Sequence, residues 1–404
     1  MLSKLAWRNI WRSKTRSIVV MGAIILGVWA LIFMISFSTG MIKSYVSNAI
    51  QNEISHVQVH HSEFMEDKES KFYMTDSKEK LQFIATMEGI QSATSRTIAN
   101  GMLTSSKGAR GIMIRAVEPE TEAAVTKINE KIVEGEYFTE GKRNQLLVSR
   151  RIADKLKVKL RSKVVLTFQD LEGEITAAAF RISGVFESGN TPFDEMNVFV
   201  TKDNMNQLIG QSDISHEIAI FLDDPATLDA TKAKLQAQYP DLSVQTYREI
   251  SPDVQLYESQ IQTSATIFIV IIMLALVFGI INTMLMAVLE RFRELGMLMA
   301  VGMNKIRVFT MIVLETIMLA AVAVVPGMLL GFITVEYFNK NGIDLSAFSK
   351  GINQFGMSEI IYTDLDPGFY IQLAVAVGIT AVIGAIYPAF KAIRLRPVEA
   401  MQKI

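Results

Sequence analysis

The sequence predicts a membrane protein with four transmembrane α-helices and a large α+β domain, of the extracytoplasmic (periplasmic) kind, inserted between the first two helices. Three observations predict this fold class. Four apolar stretches are long enough to cross a bilayer, which takes roughly 20 residues of helix. A long region of mixed strand and helix patterns separates the first two stretches, and the basic residues are distributed unevenly along the chain.

The four apolar stretches predict transmembrane helices over residues 17–41, 259–289, 306–337 and 369–390. Basic residues precede the first stretch, as in a signal peptide. We interpret it as an uncleaved anchor, because its apolar run is too long for a signal peptide and no cleavage-site pattern follows it.

The orientation of the chain in the membrane is predicted from the distribution of its charged residues. Basic residues are concentrated before the first span, between the second and third, and after the fourth, whereas acidic residues outnumber basic ones between the first two spans. The positive-inside rule therefore places the three basic segments in the cytoplasm, and residues 42–258 and the loop 338–368 outside. We expect a multi-pass protein of the bacterial inner (plasma) membrane with both termini in the cytoplasm.

The predicted cytoplasmic ends differ in character. Residues 1–16 are predicted to form an amphipathic helix at the lipid surface, because Lys4, Arg8 and Arg12 recur every four positions and tryptophans lie beside them. Residues 391–404 are predicted to form a cytoplasmic tail.

The outer region, residues 42–258, alternates apolar and polar residues in several short runs and shows helical patterns between them. The irregular order of these patterns favours an α+β domain. Its length favours two subdomains that meet near residues 120–145 and 210–220. The first and second spans are predicted to continue outwards as helical stalks.

The most specific segment follows the second span directly. Its charges are spaced so that Glu290 can pair with Arg293 and Arg291 with Glu294, after which the segment becomes apolar. It reads Glu290, Arg291, Phe292, Arg293, Glu294, Leu295, Gly296, Met297, Leu298, Met299, Ala300, Val301, Gly302.

This segment resembles the cytoplasmic coupling segment of the FtsX/MacB-like permease family of ABC transporters. The resemblance implies that residues 290–305 form a coupling helix that sits in a groove of an ATPase subunit. The implied ATPase-coupling residues are Glu290, Arg291, Arg293, Glu294, Gly296, Ala300 and Gly302. Met299 departs from the family pattern, which often has a basic residue there.

Both ends of the sequence carry the same resemblance. The start has Trp7, Arg8 and Asn9. The end has Tyr387, Pro388, Ala389, Lys391, Ala392, Arg394, Leu395, Pro397, Glu399 and Ala400. The four spans, their order and the large outer domain are closest in layout to the lipoprotein-releasing Lol-type permease subunits.

The resemblance implies a permease subunit that couples ATP hydrolysis by a separate ATPase subunit to motion of the periplasmic domain, most simply for lipoprotein release from the inner membrane. The implied partners are the ABC ATPase, a second permease subunit in a homo- or heterodimer, membrane lipid, lipoproteins and a periplasmic carrier. No Gly-x-x-x-x-Gly-Lys-Ser/Thr motif occurs, so ATP and Mg are expected on the partner ATPase, and this chain is not expected to be an enzyme or to hold a cofactor. The net charge of -1 gives no bias towards nucleic acid.

Three alternatives remain open from the sequence. The chain could export peptides or drugs in the manner of MacB, with a separate ATPase. It could instead be an FtsX-like regulator that transports nothing and controls cell-wall hydrolases, although FtsX-type outer domains are usually smaller. A membrane sensor that signals through the cytoplasmic segment is a third alternative.

Two polar residues lie within the spans. Glu315 is expected to make a contact that changes between transport states or, more simply, to pair with a neighbouring helix or basic residue. Asn282 is expected to bond across a helix interface or to a water. Gly327 and Gly331 have the spacing that lets helices pack closely.

Three histidines cluster in the outer region, namely His56, His60 and His61. A metal site would need a further ligand such as Glu63 or His216. We favour solvent-facing histidines on a strand, and predict neither a metal site nor catalytic residues.

Overall fold

The computed structural model describes residues 2–12 and 14–394. The end of the predicted closing pattern, from Leu395 onwards, lies outside these residues. The chain divides into two compact units. The membrane unit contains the residues up to Met41, then Glu258–Ile343 and those from Ile361 onwards, and the inserted domain contains Ile42–Tyr257 and Asp344–Ile360.

The α-helices of the described residues are α1 (Leu2–Arg12), α2 (Lys14–Ala49), α3 (Phe64–Asp67), α4 (Ser77–Ala85), α5 (Pro119–Thr126), α6 (Arg150–Leu156), α7 (Thr191–Met196), α8 (Lys202–Ile209), α9 (Leu228–Gln238), α10 (Tyr247–Ile250), α11 (Pro252–Glu290), α12 (Phe292–Ala300), α13 (Lys305–Asn341), α14 (Ser349–Gln354) and α15 (Pro367–Ile393).

The strands of the described residues are β1 (Val57–His61), β2 (Ile90–Ser105), β3 (Gly108–Val117), β4 (Ile132–Gly135), β5 (Gln145–Ser149), β6 (Lys163–Gln169), β7 (Ile175–Phe186), β8 (Asn197–Thr201), β9 (Glu217–Leu222), β10 (Leu242–Thr246), β11 (Ile343–Asp344) and β12 (Ile360–Ile361).

Within the described part of the chain, four helical segments are long and apolar enough to cross a membrane. They are Ser17–Ile54, Thr263–Glu290, Lys305–Asn341 and Pro367–Ile393. The first two belong to helices that extend beyond the predicted spans. Helix α2 continues to Ala49 and then into a π-helical turn, and α11 begins at Pro252, where proline suits the first turn of a helix. Both helices therefore cover residues for which the sequence predicted stalks.

Helix α12 is shorter than the predicted coupling helix over residues 290–305. Gly302 has a φ of +105°, a left-handed conformation that favours glycine and ends the helical path. The side chain of Asn304 then accepts a hydrogen bond from the backbone N–H of Ile306 and caps the next helix, α13. A short turn therefore separates α12 from the third span.

Helices α13 and α2 approach each other closely where α13 carries Gly327 and Gly331. A Cβ atom added to Gly327 would lie 3.1 Å from the backbone oxygen of Ile25. One added to Gly331 would lie 2.6 Å from Cδ1 of Ile32 and 3.0 Å from its Cβ. The two glycines thus face α2, on the side that the sequence predicted for helix packing.

The inserted domain is built on one ten-stranded sheet. Nine strands follow the order β10-β1-β9-β2-β3-β8-β5-β7-β4, and β6 pairs with β2 and β7. The pairs β3–β8 and β5–β7 are parallel and the others antiparallel, which makes the domain α+β. Strands β11 and β12 form a separate two-stranded sheet.

The sheet does not divide into the two predicted subdomains, because β2 is long enough to serve both halves. Its residues Ile90–Arg96 pair with β9, and Gly101–Thr104 pair with β6. Two separate apolar clusters nevertheless lie along it, one around Val59 and Ile220 and another around Leu103 and Phe180. These two clusters share one sheet.

The connection between the third and fourth spans belongs partly to the inserted domain. The side-chain amide of Asn48 donates to the backbone oxygen of Gly356 at 3.1 Å. The backbone N–H of Ser358 donates to the hydroxyl of Ser44 at 3.0 Å. The predicted loop is thus tied to the end of α2 by specific hydrogen bonds.

Candidate functional site

Helix α12 is a short amphipathic helix with one buried and one exposed face. Leu295 and Gly296 are buried, whereas Arg293, Met297 and Leu298 are exposed. Val301, just beyond the helix, is 85% exposed. The exposed face combines an arginine with apolar side chains, a composition that suits contact with another protein.

Arg291, at the N-terminal end of α12, forms a largely buried ion pair with Glu315 of α13. Its Nη1 atom donates to Oε1 of Glu315 at 3.0 Å, and its Nη2 donates to the backbone oxygen of Asn9 at 2.8 Å. The two charged side chains are only 15% and 9% exposed. This pairing offsets the cost of a carboxylate within a span.

Asn9 of α1 completes the same cluster, because its side-chain amide donates to Oε2 of Glu315 at 3.4 Å. Glu315 is thus paired with a basic residue, which was the simpler of its two interpretations. Three segments of the chain meet at this carboxylate: α1, the start of α12, and α13.

A second ion pair connects α12 with α1. Arg12 donates to both oxygens of Glu294, at 2.9 and 2.5 Å, and both side chains are substantially exposed. The expected pairing of Arg291 with Glu294 is therefore replaced by two pairings with residues outside the segment. The reason is that the turn before α12 directs Arg291 towards α13, while Glu294 faces α1.

The remaining predicted residues lie in different surroundings. Glu290, Arg293, Ala300 and Gly302 are exposed, at or beside the exposed face of α12. Asn282 is exposed on α11, and its side chain makes no hydrogen bond to any described residue. The expected bond of Asn282 across a helix interface is therefore not formed within this single chain.

A mainly apolar cavity of about 330 Å³ lies beside the ion pairs. Its lining is contributed by α1, α11, α12 and α13. Met284 and Met311 are among the lining side chains, and Arg291 and Glu315 also border it. Met297, Leu298 and Val301 of the exposed face line it as well, so the cavity lies partly along that face.

Of the three clustered histidines, His60 is buried and not solvent-facing as expected, whereas His56 and His61 are partly exposed. His60 is 1% exposed, with Nδ1 3.1 Å from the backbone oxygen of His216 and Nε2 2.8 Å from Oε1 of Gln58. His216 is also fully buried. Among the described residues, no group of three histidine, cysteine, aspartate or glutamate side chains is placed to hold a metal ion.

Sequence reasoning missed Asn9 and Arg12 as members of the site. Both lie on α1: Asn9 is 306 residues from Glu315, and Arg12 is 282 residues from Glu294. Their spacing of three positions places them on one helix face, but the sequence predicted only that this helix lies at the lipid surface. No local pattern in the sequence identifies the partners of Arg12.

Two family models match the chain. The MacB-like periplasmic core domain matches residues 17–238, which is more than half of the chain, and the FtsX-like permease C-terminal domain matches residues 266–397. The second match contains α12, Glu315 and both packing glycines.

Curated relatives match at low identity. The macrolide export ATP-binding/permease protein MacB of Nitrobacter winogradskyi is 28% identical over 55% of this chain, which spans only 34% of that protein. The uncharacterized ABC transporter permease YknZ of Bacillus subtilis is 22% identical over 99% of this chain and 98% of its own length. The lipoprotein-releasing system transmembrane protein LolC of Neisseria meningitidis is 22% identical, over 96% and 94%. The chain therefore belongs to the MacB-like and FtsX-like family of ABC transporter permeases, which are multi-pass bacterial membrane proteins.

Proposed function

We propose that this chain is a permease subunit that couples ATP hydrolysis on an ATPase subunit to motion of its inserted domain, for lipoprotein release from the inner membrane. The observation that carries the proposal is the arrangement of α12. One face is exposed and suited to a partner, while the other is attached to α1 and α13 by ion pairs.

The exposed face would receive the ATPase. Met297, Leu298 and Val301 present apolar surface to solvent, with Arg293 on the same face. Exposed apolar side chains grouped with an arginine are typical of the centre of a protein interface. In this proposal α12 lies on the cytoplasmic side, as the distribution of basic residues indicates.

The contacts of α12 with α1 and α13 would transmit a displacement of α12 to these helices. A displaced α12 pulls on Asn9 through Arg291 and on α13 through Glu315. Because this pair is mostly buried, it resists separation more strongly than an exposed pair does. A push on α12 would therefore move the first and third spans rather than the short helix alone.

Lipoprotein is proposed as the cargo because LolC matches over nearly the whole length of both proteins. A second candidate is MacB-like export of peptides or drugs, which is favoured by the match to the MacB-like periplasmic core and by the higher identity to a MacB. Either function implies a second permease subunit, because four spans enclose little space. Either function also implies contact with membrane lipid.

The experiment is a pull-down of the tagged full chain in detergent from its native membranes, with mass spectrometry of the bound proteins. The wild type is expected to retain an ATPase with a P-loop motif. An Arg293→Glu, Met297→Asp double variant is expected to lose it, with an unchanged thermal transition because both side chains are exposed. The matched control is Ile175→Asp, an apolar residue of the inserted domain that is 75% exposed against 56% for Met297.

Full retention of the ATPase by the double variant would refute the docking role of α12. The same preparations identify the cargo. Lipoproteins enriched over mock membranes support release, whereas an enriched efflux adaptor without lipoproteins supports the MacB-like alternative.

A further inference from the structure

A second cavity lies within the inserted domain and has no part in the proposed coupling. It measures about 300 Å³, near the lower end of the range for small-molecule sites. Its walls come from the end of α2 and the turn after it, strands β1, β2, β3 and β9, helices α3 and α10, and the start of α11. Unlike the cavity beside α12, it is lined largely by polar and charged groups.

Arg115 of β3 borders this cavity with an unused hydrogen-bond donor. Its side chain is buried, with the residue only 3% exposed. Its Nε donates to Oδ1 of Asn197 at 2.8 Å, and its guanidinium lies over the ring of Phe193 at 5.5 Å. Its Nη1 atom, however, has no acceptor among the described residues. A buried guanidinium stays charged, so an unmet donor there is costly.

The neighbouring arginine shows what a matched partner looks like in this domain. Arg96 of β2 donates to both oxygens of Glu122 at 2.9 Å and to Oε1 of Glu217 at 2.6 Å. Arg96 thus donates to two buried carboxylates, whereas Nη1 of Arg115 has no carboxylate or other acceptor in the part of the chain that the structure describes. The missing acceptor at Arg115 is therefore local, and not a general feature of buried arginines in this fold.

The rim of the cavity carries the opposite charge. Glu53, in the turn after α2, and Asp253, in the first turn of α11, are exposed acidic residues that line it. Lys68, also exposed, lines another part of the rim. The buried carboxylate Glu217 also lines the cavity, but it already accepts a hydrogen bond from Arg96. A ligand would thus meet the Arg115 guanidinium beside a paired carboxylate at the buried end, and exposed carboxylates at the open end.

We propose that this cavity binds a small zwitterion of the amino-acid type. Its carboxylate accepts from the guanidinium of Arg115, and its ammonium group lies near Glu53 and Asp253. Arginine suits a carboxylate because its planar donors match the two oxygens. The site requires no ATPase, so its test is independent of the coupling function.

The test is calorimetric titration of the full chain in detergent with a panel of free amino acids. At least one is expected to bind at a ratio of one to one. The decarboxylated amine and the N-acetyl derivative of the best binder are both expected to bind at least about 10-fold more weakly, the factor that one lost charged contact readily produces. Absence of binding across the panel, or equal binding of the decarboxylated amine, would overturn the proposal.

Two variants locate the site. Arg115→Gln is expected to weaken binding at least about 30-fold, since it removes one partner of a buried charged contact. The matched control is Arg110→Gln on the same strand, because Arg110 bonds Glu195 and does not border the cavity. Wild-type affinity in a folded Arg115→Gln protein would place the ligand elsewhere.

The second variant carries the two exposed substitutions Glu53→Gln and Asp253→Asn. It is expected to weaken binding of the zwitterion and to leave binding of the N-acetyl derivative unchanged. If Arg115→Gln prevents folding, the rim variant serves as the test in its place. Unchanged affinity of the rim variant for the zwitterion would then overturn the proposal.

Discussion

Arg291 and Glu315 form an ion pair at 3.0 Å that joins the start of α12 to the first third of the transmembrane helix α13. Arg291 belongs to the segment that resembles the coupling motif, yet its side chain points into its own chain. Glu294 does the same through Arg12. The charged residues of this motif therefore divide into two groups: Arg291 and Glu294 attach the helix, while Glu290 and Arg293 lie at the surface.

Glu315→Gln is expected to destabilise the protein by about 3 kcal/mol, because Arg291 would keep its charge in a largely buried position. The measurement is reversible unfolding in detergent for a double-mutant cycle with Arg291→Gln. The double variant should be more stable than the sum of the single losses implies. Strictly additive losses would show that the pair is not energetically coupled.

The exposed pair provides the internal control for that cycle. Arg12 and Glu294 are 63% and 42% exposed at the side chain. Such pairs contribute only about 0–1 kcal/mol and weaken in salt. Glu294→Gln should therefore change stability much less than Glu315→Gln.

Gly331→Ala is expected to destabilise the membrane unit by about 1–3 kcal/mol, the usual cost of overpacking. The new Cβ would lie 2.6 Å from Cδ1 and 3.0 Å from Cβ of Ile32, and the latter atom cannot rotate away. The control is Gly378→Ala in α15, where a Cβ meets nothing within 4 Å. Thermal unfolding in detergent separates the two, and equal transition temperatures would contradict close packing at Gly331.

The four spans were predictable because bilayer thickness sets a minimum length of apolar helix. The position of α12 was predictable from its charged pattern after the second span. The partners of its charges were not, because Arg12 lies 282 residues from Glu294 in sequence. Pairing rules that work within one helix, such as Arg291 with Glu294, fail when the chain turns between the two residues.

In the inserted domain, the sequence pattern predicts strands but not their length or the burial of their faces. Alternation indicated strands but could not show that β2 continues through both predicted subdomains. The alternation also led to the wrong prediction that His60 faces solvent, although β1 is an interior strand between β10 and β9. An interior strand is covered on both faces when helices pack on the sheet, so polar residues such as Gln58 and His60 become buried. The two faces of a strand cannot be assigned from one sequence when both are buried.

His216 gives the inserted domain a stability that falls in acid. Burial lowers the pKa of its imidazole to about 4, from an ordinary value of 6.5. Between these values the unfolded chain binds a proton that the folded domain does not, so the free energy of unfolding decreases as the pH falls from 6.5 to 4.

Asp194 acts in the opposite sense over part of the same range. Burial raises its pKa to about 6, from 3.8. The folded domain therefore binds the proton first, which favours folding as the pH falls. The wild-type profile is expected to be flatter than that of Asp194→Asn, which should lose stability more steeply in acid.

His216→Gln is the decisive variant, because glutamine can accept from the N–H of Ile98 and donate to the oxygen of Ser70 as the imidazole does. Its urea unfolding, followed by circular dichroism between pH 7 and 4, should lack the acid loss that His216 causes. The difference from wild type is expected to change by about 3 kcal/mol across this range. A profile parallel to that of the wild type would show that His216 is protonated within the folded domain, and that the hydrogen bond from Ile98 to its Nδ1 atom is not formed.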